Sequence, residues 1–207
     1  MKLIIFGATG SIGHQVVNQA LAQGHSVTAF VRDASKLSIQ HENLQVALGD
    51  VMDPPSIENS IQGHEAALVS IGAGRKGAIR SAGTRNIISA MEKVGVHRLI
   101  CQSTLGVGDS RGNLNALWKY IMFGLLLRPA YADHIEQENH VRQSSLDWTI
   151  VRPGAFIDGE HTGQYRHGFA GTDKTTKLKI SRNDVADFML KQLFDNTYLH
   201  KSPGLSY

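Results

Sequence analysis

Cysteine is nearly absent from this chain: there is one, Cys101, inside the apolar run Leu99-Ile100-Cys101. A single cysteine excludes an internal disulfide framework and suits a reducing compartment, so a cytoplasmic location is expected. Blocks of one charge are also missing. The 21 lysines and arginines against 18 aspartates and glutamates leave a formal charge of +3, spread along the sequence. Nucleic-acid binding calls for a concentrated basic face, so no such partner is expected. Ten histidines are present, but no His-x-x-x-His pair. His134 and His140 are six apart, as are His161 and His167, a spacing that puts no two ligands on one helix face; no metal is expected. Long hydrophobic runs are lacking too. The longest apolar stretch, Ile121 to Leu127, is bounded by Lys119 and Arg128 and falls far short of the roughly 20 residues that span a bilayer. Leu114, Leu117, Trp118, Ile121, Met122 and Leu125 recur at three- and four-residue steps, which favours a buried helix face or a lid over an amphipathic helix lying on a membrane surface, so no membrane partner is expected. No secretory signal opens the chain; it begins with a short strand that runs straight into a glycine turn.

What is present reads as an α/β fold. With 207 residues, 42 % of them hydrophobic, the chain can bury a substantial core as one domain over 1–207. Short apolar runs alternate with helical stretches, the pattern of a Rossmann-like, doubly wound, mostly parallel sheet. Strands are expected at Lys2–Phe6, Ser26–Val31, Leu44–Ala47, Ala66–Ser70, Arg98–Ser103 and Trp148–Arg152. Helices are expected at Ile12–Gln23, Pro55–Ile61, Gly77–Val94 and Asp133–Ser144. Gly24 and Gly95 stand where helix C-terminal glycines belong. Asp53-Pro54-Pro55 reads as a helix start, with Asp53 or a neighbour capping. Two excursions, 106–128 and 154–177, leave the carboxyl edge of the sheet after the fifth and sixth strands. Open α/β folds bind their ligands at that edge, so both are expected to shape and cover a substrate pocket.

The strongest motif is Gly7-Ala8-Thr9-Gly10-Ser11-Ile12-Gly13, set between a hydrophobic strand and a helix carrying Val16, Val17, Ala20 and Leu21. Gly7 permits the tight turn, Gly10 lets the backbone approach a pyrophosphate, and Gly13 lets the helix pack on the strand. The helix N-terminus then offers free N–H groups and the positive end of its dipole. A carboxylate closing the second strand would favour NAD, whereas an arginine accommodates the 2′-phosphate of NADP. Here Arg32 comes first, followed by Asp33, with Lys36 four residues beyond Arg32 and able to approach the same phosphate. NADP(H) is the expected cofactor.

These residues, together with Leu48-Gly49-Asp50-Val51, Arg85-Asn86-Ile87-Ile88, Asp133-His134-Ile135 and Asp187-Phe188-Met189-Leu190, give the chain its family likeness. It resembles an atypical short-chain dehydrogenase/reductase of the NmrA-like, NAD(P)-binding group, most nearly the biliverdin-IXβ reductase/flavin reductase type. The resemblance implies that Gly7, Ala8, Thr9, Gly10, Ser11 and Ile12 hold the pyrophosphate. It implies that Arg32, Ser35 and Lys36 hold the 2′-phosphate, and Asp50 and Val51 the adenine. Ile71 and Gly72 would line the ribose and diphosphate, with Gln102, Thr104, His134 and Pro153 toward the nicotinamide. Gln102 and Thr104 replace the cysteine and serine of that type, and Ala155 stands where a histidine near the substrate is expected.

The proton donor of ordinary short-chain dehydrogenases, a Tyr-x-x-x-Lys pair, is missing: Tyr120 is followed four residues on by Gly124, Tyr131 by Ile135, Tyr165 by Phe169. A carbonyl reductase or epimerase is therefore disfavoured. A flat conjugated acceptor, such as a flavin, bilin or quinone, needs mainly orientation against the cofactor. Thr104 is a candidate for ordering a proton-relaying water, and His134 for donating a proton or touching the substrate. Leu105, Trp118, Phe123, Phe156 and Tyr165 are the expected pocket walls. The reading is a reductase acting as a monomer or weak homo-oligomer; the alternative is a non-catalytic NAD(P)-binding sensor or assembly protein of the same group.

Overall fold

The computed structural model of the chain describes residues 1–72, 74 and 77–207. Strand β1 (Lys2–Phe6) shows how the fold is wound. Its side chains alternate, so Leu3 and Ile5 enter one apolar cluster while Ile4 and Phe6 enter another on the opposite face. Period-two alternation with both faces apolar is what a central parallel strand requires. Helix α1 (Gly13–Ala22) covers the first face with Val16, Val17, Ala20 and Leu21. After β2 (Ser26–Val31) and β3 (Leu44–Leu48), helix α2 (Pro54–Ile61) covers the second face with Ile57 and Ile61. Asp53 takes the cap position of α2 and a proline follows, but its side chain makes no capping bond.

Strand β4 (Ala66–Val69), helix α3 (Ile79–Val94), β5 (Arg98–Gln102), helix α4 (Arg128–Gln143) and β6 (Asp147–Pro153) complete the alternation. The expected strands are all present, with ends shifted by at most one residue. The helix starts shift by one residue in α1 and α2 and by more in the other two. Helix α3 starts at Ile79, and α4 starts five residues before the expected Asp133 because Pro129 fits a helix's first turn.

Three short strands, β7 (Ala155–Ile157), β8 (Arg166–His167) and β9 (Lys179–Ser181), come next, followed by helix α5 (Arg182–Lys191) and β10 (Gly204–Ser206). Their signals escape a periodicity reading, since two- and three-residue strands have no period to show. Helix α5 joins α1 on the first face through Val185, Phe188 and Met189. The sheet runs β3-β2-β1-β4-β5-β6-β10-β8, parallel throughout except for β8, with β7 and β9 paired separately. The order reverses between β1 and β4, which opens a crevice at their carboxyl ends.

The two excursions clasp each other above this edge. Asn113 Nδ2 donates to the carbonyls of Ala170 (2.8 Å) and Asp173 (2.9 Å), and Lys174 Nζ donates to the Gly112 carbonyl. Arg152, only 1 % exposed, donates to both Glu138 oxygens at 2.9 and 2.7 Å and to Asp109 at 2.5 Å. One buried guanidinium thus ties β6, α4 and the first excursion together.

The core of that first excursion contradicts the expected buried face. Leu117–Leu126 is a π-helix with no buried residue. Closure from i to i+5 winds it more slowly than an α-helix, so its inward residues, Trp118, Phe123 and Leu127 after its end, recur at steps of five and four. The three- and four-residue pattern that predicts burial therefore spreads over two sides. Leu117, Tyr120, Ile121, Leu125 and Leu126 face outward, between 48 and 72 % exposed.

Candidate cofactor and substrate site

At the end of β1 the chain turns sharply. Gly7 has φ +84°, and a Cβ there would stand 2.5 Å from the Ser70 carbonyl oxygen, against β4. A Cβ on Gly13 would collide with the Gly7 carbonyl itself. Both glycines are thus required by close approach, Gly7 at the strand end and Gly13 at the helix start. Gly7→Ala is expected to lower stability by about 2–4 kcal/mol, from the left-handed backbone and the overlap together; a urea unfolding midpoint reads this directly. The N-terminus of α1 emerges from this turn without a side-chain cap, so its positive end is open to a ligand, although the His14 amide is already taken by the Gly10 carbonyl at 2.9 Å.

Two depressions meet at this turn. The smaller, about 170 Å³, is lined by Gly7, Thr9, Gly10, Val31, Arg32, Asp50, Val51, Ile71 and Gly72. The larger, about 440 Å³, also has Gly10, Ile71 and Gly72 in its wall, with Ser11, Ile12, Gln102, Thr104, His134 and Pro153. Shared residues make the two one groove along the carboxyl edge of the sheet. Every site residue expected from the sequence lines it except three. Ala8 is buried beneath the turn. Ser35 and Lys36 lie in the 3₁₀ turn Ala34–Lys36 beside the Arg32 end.

That end is shaped by Asp33. Its carboxylate accepts from the Ser35 hydroxyl (2.7 Å) and amide (3.0 Å), which hold it below the usual carboxylate range, and Lys36 Nζ is 4.0 Å away. Asp33 is drawn into its own turn, whereas Arg32 lines the pocket and, among the described residues, has no carboxylate within ion-pair distance. Asp50, also in the wall, accepts from the Met52 amide at 2.9 Å, the turn role open to any aspartate after Gly49.

The larger cleft is walled by Leu105, Trp118, Phe123 and Phe156, as expected, with Leu114, Leu127 and Leu178. Tyr165 is not among them. Its hydroxyl is 2.5 Å from Asp187 and its ring packs edge-on against Phe188, so it pins the second excursion to α5. Tyr131 takes a place in the wall instead, stacked on Phe123 with centroids 4.7 Å apart, its hydroxyl donating to the Gly106 carbonyl at 2.8 Å.

His134 lies within α4, not at its start, and its Nδ1 is 3.4 Å from the Ser103 hydroxyl. Burial, followed by the neighbouring Arg80 cation, pulls its pKa down to about 3. The ring is neutral at physiological pH and has no ready proton to give. Because the folded value lies below the unfolded one, the folded form forfeits protonation that the unfolded form accepts. This stability is complete above about pH 6.5 and declines as pH falls toward 3; His64 and His25, both also lowered by burial, act in the same direction. The expected outcome is a urea midpoint lower at pH 5 than at pH 7, with His134→Asn flattening the difference.

Two functional candidates, Arg80 and Arg182, have no signal in the sequence pattern, and Asp133 carries one only through the family likeness of Asp133-His134-Ile135. Arg80, 7 % exposed, lines the cleft and donates to Asp133 at 3.1 Å and to the Ile71 carbonyl at 3.2 Å. Asp133 also accepts from the amides of Arg80 (3.2 Å) and Ser81 (2.9 Å), capping α3 from α4 across 52 or more residues of chain. Arg182 sits in the cleft wall, its guanidinium 5.8 Å from the Phe156 ring centre and 2.7 Å from the exposed Asp158. Arginines on helical faces read as solvated charge until the fold turns them inward. Among the described residues no carboxylate lines the larger cleft, and no cluster of His, Cys, Asp or Glu could hold a metal. Cys101 is buried, its thiol pushed far up by desolvation, and it accepts from Gln137 Nε2.

The fold has close counterparts among solved structures. ChuY, an anaerobillin reductase from Escherichia coli O157:H7, superposes with a TM-score of 0.82 at 25 % identity, covering 100 % of this chain and 97 % of its own. A short-chain dehydrogenase/reductase from Veillonella parvula, solved in complex with NADP, gives a TM-score of 0.86 at 20 % identity, covering 100 % and 94 %. The photosystem II assembly factor Ycf39 of Synechocystis is 25 % identical over 177 residues, covering 80 % of this chain and 48 % of that protein. The NAD(P)H-binding family model matches residues 7–196, from the glycine turn to beyond α5. The chain belongs to the NAD(P)H-binding family of Rossmann-type proteins.

Proposed function

We propose that the protein is an NADPH-dependent reductase of a flat conjugated acceptor, a flavin, bilin or quinone. The observation that carries this reading is the single groove joining an arginine at the adenosine end to an aromatic-walled cleft. When bound, the cofactor supplies the hydride. Gly7 to Ile12 and the α1 N-terminus hold its pyrophosphate, and Asp50 and Val51 flank the adenine. Arg32 meets the 2′-phosphate, with Ser35 and Lys36 approaching from the next turn; Asp33, occupied by Ser35, leaves the site to an anion. Ile71 and Gly72 border the middle, and Gln102, Thr104, Pro153 and His134 the nicotinamide end.

The acceptor ring stacks between Trp118, Phe123 and Phe156, with the excursions 106–128 and 154–177 excluding water above it. Thr104 orders a water that relays the proton. Neutral His134 donates a hydrogen bond without transferring charge. With His134 neutral and no other histidine and no carboxylate among the described residues lining the cleft, kcat is expected to be flat between pH 6 and 8 and to remain flat in His134→Asn. A side-chain acid at position 134 would instead give a limb that the substitution removes.

Arg182 favours an acidic acceptor. Its partner Asp158 is fully exposed, and such pairs contribute little, so the guanidinium is free to turn toward a phosphate or carboxylate on the substrate. Arg182→Ala is expected to raise KM for FMN or biliverdin by about tenfold, leaving KM for an uncharged short-chain quinone within twofold.

The bilin chemistry named for ChuY supports this class of acceptor. Ycf39, an assembly factor by name, supports a second reading in which the groove binds NADPH without turnover. NADPH oxidation measured with FMN, biliverdin and a short-chain quinone separates them: turnover with at least one is expected, and tight binding with none would leave only the second.

A further inference from the structure

The outer face of the π-helix Leu117–Leu126 belongs to neither cofactor nor substrate. Leu117, Tyr120, Ile121, Leu125 and Leu126 are all exposed, while Trp118 and Phe123 of the same ten residues line the cleft. A contiguous run of large apolar side chains on the wall of a functional cleft marks an interaction surface. Its charge is one-sided. From Ser110 to Ala132 there are three cations, Arg111, Lys119 and Arg128, and no carboxylate. Among the described residues none of the three has an acidic partner within ion-pair distance, the nearby Asp109 being held by Arg152.

We propose that this face docks the protein on an anionic lipid surface, with the five apolar side chains in the acyl boundary and Lys119 and Arg128 on the headgroups. An apolar strip flanked by cations is how a helix lies in a bilayer interface without crossing it. No helix among the described residues is long and apolar enough to cross a membrane. A second copy of the chain fits less well. Two-fold pairing sets a face against itself, which would gather Lys119 and Arg128 from both copies where neither supplies a carboxylate. Phosphate headgroups supply the missing negative charge. Anchoring the outer face also holds the segment that carries Trp118 and Phe123 into the cleft, so docking bears on access to it whichever acceptor is reduced.

Co-sedimentation of the full chain with vesicles tests this. Binding is expected to vesicles of phosphatidylglycerol and phosphatidylcholine, and roughly tenfold less to phosphatidylcholine alone. Ile121→Ser combined with Leu125→Ser, both at exposed positions, is expected to abolish binding with an unchanged Tm. Lys119→Gln with Arg128→Gln is expected to weaken it by roughly tenfold or more, as added salt does. Wild-type protein that stays in solution with both vesicle types overturns the proposal. So does undiminished binding by the serine variant. Sizing that shows a wild-type dimer dissolved by the serine pair, without vesicle binding, assigns the face to self-association instead.

Discussion

Arg32→Ala is expected to lower kcat/KM for NADPH by about 10- to 100-fold while leaving that for NADH within about twofold. A charge-assisted hydrogen bond contributes roughly 1.5–3 kcal/mol, and each 1.4 kcal/mol is about tenfold. The 2′-phosphate is the only group that distinguishes the two cofactors, so the loss falls on one of them alone. Lys36→Ala is expected to do much less, because its side chain is 71 % exposed and already leans toward Asp33. Asp33→Ala acts the other way from a disruptive change: it releases Ser35 and Lys36 and is expected to preserve or sharpen the NADPH preference. An unchanged preference in Arg32→Ala would remove Arg32 from the site.

The second large effect concerns stability. Asp133→Ala takes the acceptor from two backbone amides at the start of α3 and leaves the Arg80 guanidinium buried without a counter-charge. Breaking one side of a buried ion pair costs about 3–5 kcal/mol, here with an uncapped helix in addition. Urea unfolding of the single variant is expected to show that loss. Adding Arg80→Met removes the stranded charge and is expected to recover a substantial part of it, since an apolar replacement of the pair is tolerated better than half of it. Equal losses in the single and double variants would show that capping, not the charge, dominates. Because Arg80 lines the cleft and contacts the Ile71 carbonyl, the single variant is also expected to weaken NADPH binding.

How far the sequence exposes this design depends on the length of each signal. Strands such as Lys2–Phe6 and Ser26–Val31 are buried on both faces and stand out as apolar runs. The glycine turn carries its constraint in residue type, and Gly7 and Gly13 are where the structure leaves no room for a Cβ. Arg32 and Asp50 follow strand ends, so their place on the groove follows from topology. What stays hidden depends on contacts between distant segments. Asp133 reads as an ordinary helix residue, yet caps another helix. Tyr165 looks like one more aromatic of an excursion, yet its hydroxyl is committed to Asp187. The π-helix defeats an analysis built on the α-helical period, turning an expected buried stripe into one cleft wall and one exposed face. Arg182 is invisible until β9 and α5 bring it beside Phe156.

In the proposed reaction, hydride passes along the groove from NADPH to a flat conjugated acceptor. The most direct test is a turnover with biliverdin and NADPH carrying deuterium at the transferred position. Deuterium is expected in the reduced bilin, with the labelled cofactor reacting more slowly than the unlabelled one. NADPH that binds tightly yet remains unoxidised with biliverdin, and equally with FMN and a quinone, would contradict it.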